Sequence, residues 1–406
     1  MKLKNFALGQ WTEGQGDGQT LFDASTGEAI ATASSKGLDF GEMMAYGRKV
    51  GGAALRKMTF QERGLMLKRL ALFLHERKDK FYPISYQTGA TKADSWIDID
   101  GGIGTLFAYA SLRRKFPNQP FYVDGEMANL SKEGSFIGHH IMVPKRGIAI
   151  HINAFNFPIW GMLEKVSVNL LAGVPAIVKP ATLTSYLTEA MFREIVASGI
   201  LPDGALQLIC GSGRGILDHV TSQDVVTFTG SADSGRMLKS HTKVQQEAVP
   251  FNMEADSLNC AVLGPDALPG TPEFDLFIKE VRREMTAKCG QKCTAIRRVI
   301  VPEKLVEVGQ LALSKQLSKT VIGDPRVVGV RMGALAGKVQ VEEVKERIAQ
   351  LSRNSQIVYG DLENFEVVGG SKDNGAFMAP IVMVQENPFQ HLDVHEVEAF
   401  GPVSTI

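Results

Sequence analysis

The stretch Gly147-Ile148-Ala149-Ile150-His151-Ile152-Asn153-Ala154-Phe155-Asn156-Phe157-Pro158-Ile159-Trp160 decides the fold. Residues 148–152 are mostly apolar and have the length of a buried strand. An amide-rich bend follows, and Pro158, with φ preset for a first helical turn, opens an apolar helix over 158–171. The alternation then continues: a strand at 176–178, a helix from about 184 to Gly199 and a strand at 206–210. A short helix near 215–220, a strand at 225–228 and a helix through 236–240 complete the run. Strand–helix repetition at this spacing predicts an α/β fold whose doubly wound parallel sheet is covered on both faces.

Working outward, the first third reads as mainly helical. Thr59 and Glu62 form a capping-box pattern ahead of Met66, Leu70, Phe73 and Leu74, which fall on one helical face. A second helix is expected around 96–112. Over 121–143 the β-formers flank Asp124-Gly125, a hairpin-type turn signal, and predict a projecting ribbon. Beyond Glu254 a second αβ unit begins. Thr271 caps a helix with Pro272 at its first position, and Phe274, Phe277, Ile278, Val281 and Met285 line one side. A strand at 298–301 and helices near 305–318 and 341–352 follow.

At 406 residues the chain predicts two or more domains. We expect a nucleotide-binding domain from 1–120 and 144–254, a ribbon at 121–143 and a second domain at 255–406. Lys plus Arg and Asp plus Glu both number 44, so no net field recruits nucleic acid or an anionic membrane. Neither a signal peptide nor an apolar run of membrane-spanning length is present. The four cysteines form no C-x-x-C pair and no metal-ligand spacing with histidine, so no metal is expected and a reducing cytoplasm is the simplest setting.

Three fragments carry chemistry. Cys293 lies in Lys288-Cys289-Gly290-Gln291-Lys292-Cys293-Thr294, a polar, Gly-bearing turn after an amphipathic helix, where a thiol is placed to react rather than to pack. Cys289, nearer the apolar helix, reads as a packing residue. Asn156 offers a side-chain amide for a developing oxyanion, although Asn also stabilises bends. Glu254 ends the run Val249-Pro250-Phe251, at the carboxyl edge where doubly wound sheets build sites; partial desolvation there would make it a better base. The Gly-rich joints Cys210-Gly211-Ser212-Gly213-Arg214-Gly215 and Phe228-Thr229-Gly230-Ser231, with Gly235 beyond, are turns that could place N–H groups against phosphate. Arg297-Arg298 reads as a solvated face, with a contact to an anionic substrate group as the alternative.

In order and spacing, Asn156-Phe157-Pro158, Lys179-Pro180-Ala181, Phe228-Thr229-Gly230-Ser231, Glu254, Gly290-Gln291-Lys292-Cys293 and Glu398-Ala399-Phe400-Gly401-Pro402-Val403 resemble the signature of the aldehyde dehydrogenase superfamily. The stretches 94–104, 151–158, 253–259 and 290–298 further resemble the dehydrogenase part of the ring-opening proteins of phenylacetate catabolism and the semialdehyde dehydrogenases of aerobic benzoyl-CoA breakdown. The resemblance implies oxidation of an aldehyde, expected to be a CoA-linked semialdehyde, with NADP or NAD. It implies Cys293 as nucleophile, Asn156 and the Cys293 N–H as oxyanion donors and Glu254 as the base for water. Lys179 would contact the adenosine ribose and Thr229, Gly230 and Ser231 the pyrophosphate; Phe155 and Gly235 would also contact the cofactor, and Glu398 and Phe400 the nicotinamide side.

Three departures stand out. Thr182 replaces the Glu of many NAD-preferring members, which predicts that NADP+ is accepted. Ala255-Asp256-Ser257 replaces the usual Leu-Gly-Gly. The chain stops at Ile406, short of the family's further catalytic and oligomerisation segments, so a fragment is expected; the ribbon implies a homodimer for the whole protein. The alternatives are a cysteine hydrolase or acyltransferase without nicotinamide, and a non-catalytic fragment that binds nucleotide.

Overall fold

In the computed structural model, which describes residues 1–406, the chain divides into two compact units. One comprises Met1–Thr20, Ala31–Phe81 and Ile97–Ala255; the other comprises Leu21–Ile30, Tyr82–Trp96 and Asp256–Ile406.

The first unit is built on a seven-stranded sheet. Its order is Phe251–Ala255, Val225–Gly230, Ala149–Ile152, Ala176–Lys179, Leu206–Leu208, Lys4–Ala7 and Gln10–Glu13. The first five strands run parallel, and Lys4–Ala7 runs antiparallel to both of its neighbours. From Ala149–Ile152 the chain moves outward to Leu206–Leu208, then returns to add Val225–Gly230 on the opposite side. That reversal creates a topological switch point at the carboxyl ends of the strands, where open α/β sheets bind ligands. Ile148, Ile150, Ile177 and Val226 pack from the sheet against Met43, Met44 and Leu217.

The first third is mainly helical from Phe40 to Lys115, as expected, but four strands that the sequence reading missed lie within the first 33 residues. They are short and leave no clear apolar pattern: Lys4–Ala7 buries Asn5 and Ala7, and Gln10–Glu13 has no buried residue. A polar side chain does part of the joining. The Asn5 amide donates to the Ser34 carbonyl at 2.9 Å, and its oxygen accepts from the Cys210 N–H at 2.7 Å. The helix Phe60–His75 begins with the expected capping box: Thr59 Oγ1 accepts from the Glu62 N–H at 3.2 Å and Glu62 Oε2 from the Thr59 N–H at 2.8 Å.

The ribbon forms from Tyr122–Asn129 and Ile137–Met142, paired antiparallel. Asp124-Gly125 is not its turn. Both residues lie inside the first strand, where the register shifts between Asp124 and Ala128 and Gly125 takes φ +71°. The sequence signal marked a bulge. Met127, Phe136, Ile137, Ile141, Met142 and Val143 are exposed along the ribbon.

The second unit holds a five-stranded sheet in the order Cys260–Val262, Arg298–Ile300, Val403–Thr405, Ile381–Val384 and Gln356–Tyr359, with only the last strand antiparallel. Thr271 Oγ1 accepts from the Phe274 N–H at 3.3 Å and starts the helix Pro272–Thr286, which buries Phe274, Ile278, Val281 and Met285. Residues 21–30 and 82–96, expected in the first domain, pack in this second unit. The Asp23 carboxylate pairs with Arg326 at 3.1 Å, and the Ala24 N–H donates to the Gln87 carbonyl.

Candidate active site

The site residues fall into two sets, one on each unit. In the first, parallel strands end side by side: Ile152 pairs with Lys179, and Thr229 with Glu254. The bend after Ile152 is fixed by its neighbours. The Asn153 N–H donates to the Lys179 carbonyl at 3.0 Å, and the Phe155 carbonyl accepts from Thr184 Oγ1 at 3.1 Å. Asp98 caps the following helix by accepting from the N–H groups of Ile159 and Trp160 at 3.0 and 2.7 Å. Asn156 is buried within this bend.

Glu254 sits on the edge strand, and its carboxylate accepts from Thr229 Oγ1 at 3.3 Å. It is exposed rather than partly desolvated. Just past it, Asp256 adopts φ +47°, the left-handed conformation that the family's Gly would take without strain.

Lys179 ends its strand with a mostly buried side chain, and burial pushes its ammonium down from the usual lysine range. Its Nζ reaches Thr182 Oγ1 at 3.5 Å, which in turn donates to the Gly211 carbonyl at 3.2 Å. Beside this pair lies a cavity of about 450 Å³ whose wall includes Ser35, Lys36, Thr182, Ser212 and Arg214. Two cations and several hydroxyls around a mostly buried lysine suit a phosphorylated nucleotide. Ser231 caps the helix Ala232–Lys239, accepting from the Ser234 N–H. The helix packs closely at Gly235, where a Cβ would lie 2.5 Å from Sδ of the flexible Met253 side chain.

The second set surrounds Cys293. Lys288 and Cys289 take left-handed φ of 51° and 52°, followed by Gly290 at 68°. Non-Gly residues in this region cost of order 1–3 kcal/mol each and persist only where surroundings enforce them. Here the Lys288 N–H donates to Asp94 Oδ1 at 2.7 Å, and its buried ammonium donates to the carbonyl and hydroxyl of Thr88 at 3.0 and 2.8 Å. A Cβ on Gly290 would lie 2.1 Å from the Gly401 carbonyl oxygen, so only glycine fits. The turn ends with Cys293 exposed, whereas Cys289 is buried and its thiol is pushed well up by desolvation. None of the four cysteines is in a disulfide. Cys289 is therefore the packing thiol and Cys293 the accessible one. The neighbouring Lys292 ammonium pairs with Glu284 at 2.7 Å.

Arg297 corrects a second expectation, since it is buried, not a solvated face. Its guanidinium donates to the carbonyls of Gly401 at 2.6 Å and Gly290 at 2.8 Å, lies 3.5 Å from Glu398 Oε1 and sits 5.4 Å from the Phe400 ring centre. Arg298 is half-buried, bonded to the Leu258 carbonyl and to His395. Glu398 also accepts from the Ser257 N–H at 3.1 Å; burial pushes its carboxyl up against the opposing pull of Arg297. Asn259 donates to the carbonyls of Cys293 and Ala295 at 2.6 and 3.1 Å. Sequence reasoning did not single out Asn259, Lys288 or Asp98. The unusual Lys-Cys preceding Gly290 was the one available hint.

A strained turn presenting a thiol, a strand-end carboxylate and a cavity lined by cations are the kinds of group that a thiol-dependent aldehyde dehydrogenase needs. Residues 11–406 match the aldehyde dehydrogenase family, and the chain belongs to it. Over its whole length it is 43% identical to a 3,4-dehydroadipyl-CoA semialdehyde dehydrogenase of Aromatoleum evansii, of which it spans 79%. Among solved structures it resembles betaine aldehyde dehydrogenase of Staphylococcus aureus in complex with NAD+ (TM-score 0.84, 20% identity, 99% of this chain and 78% of that one). It also resembles a 3,6-anhydro-L-galactose dehydrogenase in complex with NADP (TM-score 0.84, 18% identity, 100% and 82%). The chain is thus an NAD(P)-dependent oxidoreductase acting on aldehydes, and the hydrolase alternative falls away. No helix is long and apolar enough to cross a membrane.

Proposed function

We propose that this chain oxidises a CoA-linked aliphatic semialdehyde to its carboxylic acid, with NADP+ accepted at least as well as NAD+. The identity of 43% across the full chain to a CoA-semialdehyde dehydrogenase carries the substrate class. The first unit is the cofactor domain, the second the catalytic domain, and the exposed apolar ribbon the arm of a homodimer in the cytoplasm.

Cys293 Sγ attacks the aldehyde carbon and forms a C–S bond, while Asn156 and the Cys293 N–H hold the resulting oxyanion. When bound, the nicotinamide supplies the two-electron acceptor. Lys179, Thr182, Thr229, Gly230, Ser231, Gly235 and Phe155 hold the nucleotide, and Glu398 and Phe400 set its reactive end. Glu254 takes a proton from water as that water attacks the thioester on Cys293; the acid leaves and the thiolate is restored. Its exposure, with Thr229 as a hydrogen-bond partner, favours a base that draws on solvent.

For the cofactor, Thr182 puts a hydroxyl beside the Lys179 ammonium where a carboxylate would repel a 2′-phosphate, and Lys36 and Arg214 line the same cavity. The test follows NADPH and NADH formation with matched CoA-linked and free semialdehydes, using the wild type and Cys293→Ala. Turnover of free semialdehydes with none of the CoA-linked ones refutes the substrate class. Product formation by Cys293→Ala refutes the nucleophile.

A further inference from the structure

Arg297 and Asn259 engage the backbone carbonyls of the thiol-bearing turn. Arg297 donates to Gly290 at 2.8 Å and lies 3.5 Å from the Lys292 carbonyl oxygen; Asn259 donates to Cys293 and Ala295. In a trans peptide the carbonyl and the N–H point to opposite sides, and no peptide in this chain is cis. The Lys292 carbonyl and the Cys293 N–H belong to one peptide unit. Holding the first toward the guanidinium therefore turns the second away from it.

We propose that Arg297 is a positioning residue that orients the Lys292–Cys293 peptide, so that its N–H is preset as an oxyanion donor before substrate arrives. It also ties the turn to the Gly401 carbonyl and stands beside Glu398 and Phe400, which fixes the turn against that segment. A lysine there keeps the charge but presents a single ammonium in place of a planar fork, and cannot serve the Gly290, Gly401 and Lys292 carbonyls together. The inference rests on Cys293 as the nucleophile, the reading given above.

The test separates chemistry that develops an oxyanion from chemistry that does not. p-Nitrophenyl acetate acylates Cys293: sulfur bonds to the acyl carbon, an oxyanion forms on the carbonyl oxygen, and p-nitrophenolate leaves. Iodoacetamide alkylates the same sulfur with loss of iodide and no oxyanion. In Arg297→Lys the acylation burst and aldehyde turnover are expected to fall by about thirtyfold or more, toward the hundred- to thousandfold cost of a lost oxyanion donor. Iodoacetamide labelling of the Cys293 peptide, read by mass spectrometry to separate it from exposed Cys260, is expected to change by less than about threefold, since no charge develops on oxygen there. If Arg297→Lys does not fold, Arg297→Gln is read in the same way. Equal loss in both reactions means that the turn has collapsed, and it overturns the proposal; so does unchanged acylation. A wild type that is acylated by the ester yet forms no NAD(P)H rejects the dehydrogenase reading and leaves the comparison between the two reagents intact.

Discussion

Replacing Gly290 by alanine tests the turn directly. The added Cβ would sit 2.1 Å from the Gly401 oxygen, 2.4 Å from its carbon and 2.7 Å from the Pro402 nitrogen, all backbone atoms. Real Cβ atoms essentially never approach within 3.0 Å, so the two backbones must separate by about 0.9 Å. Overpacking of this kind costs roughly 1–3 kcal/mol, and alanine at φ +68° adds about 1–2 kcal/mol. Together these predict destabilisation of roughly 2–5 kcal/mol, or about 4–20 °C in Tm at some 2–4 °C per kcal/mol. The separation also lengthens the Arg297 bonds that bridge Gly290 and Gly401, and a misplacement near 1 Å costs on the order of a hundredfold in rate. Differential scanning calorimetry and NADPH formation give the two numbers. A Gly290→Ala protein that melts with the wild type and turns over within about threefold of it refutes the reasoning.

Thr182→Glu places a carboxylate beside Lys179 in the cationic cavity. It is expected to raise KM for NADP+ by roughly ten- to a hundredfold while changing that for NAD+ far less, since only NADP+ brings a second anion there; equal effects on both cofactors count against the 2′-phosphate assignment. Cys289→Ala removes a buried thiol and should leave turnover within a few-fold while lowering Tm, whereas Cys293→Ala should abolish turnover with little change in Tm; the reverse pattern exchanges their roles. On the ribbon, Ile141→Glu with Met142→Glu should convert a homodimer to monomer by sedimentation velocity, and a monomeric wild type sinks that expectation. His151 is buried between Thr227 Oγ1 and Asn169 Oδ1, both at 2.8 Å, and desolvation pushes it down to about 4. The folded chain therefore binds fewer protons than the unfolded one between about pH 6.5 and 4, so stability falls as pH drops through that window, by roughly 2 kcal/mol at pH 5. His151→Gln should flatten this part of the Tm profile, and an unchanged slope excludes His151 as its source.

Much of the first unit is legible because its strands are short, apolar and regularly interrupted by helices. The run from Ile148 to Phe228 shows a period, and its joints fall at strand ends by necessity. Lys179 entered only through the family resemblance, whereas Asn156, Thr229 and Glu254 could be singled out at strand ends from position. The N-terminal strands could not, because Gln10–Glu13 is exposed and Lys4–Ala7 is held partly through the Asn5 amide, neither of which leaves an apolar pattern. Asp124-Gly125 misled for a related reason: a left-handed glycine serves a bulge as well as a turn, and sequence does not distinguish them.

The surroundings of Cys293 show where such reading stops. Gly290 announced an unusual turn, yet the left-handed residues before it are a lysine and a cysteine, types that seldom adopt that conformation. They hold it because of partners about two hundred residues away in sequence, Asp94 and Thr88, which no local pattern links to Lys288. Arg297 illustrates the same point with charge. Two adjacent arginines look solvated until the fold brings Glu398 and two backbone carbonyls to one of them and buries it. A buried guanidinium with two carbonyls accepting from it and a carboxylate 3.5 Å from its Nε costs far less than an isolated charge. Preorganisation around the thiol is thus a property of long-range contacts, whereas the identity of the thiol is a property of its own eight residues.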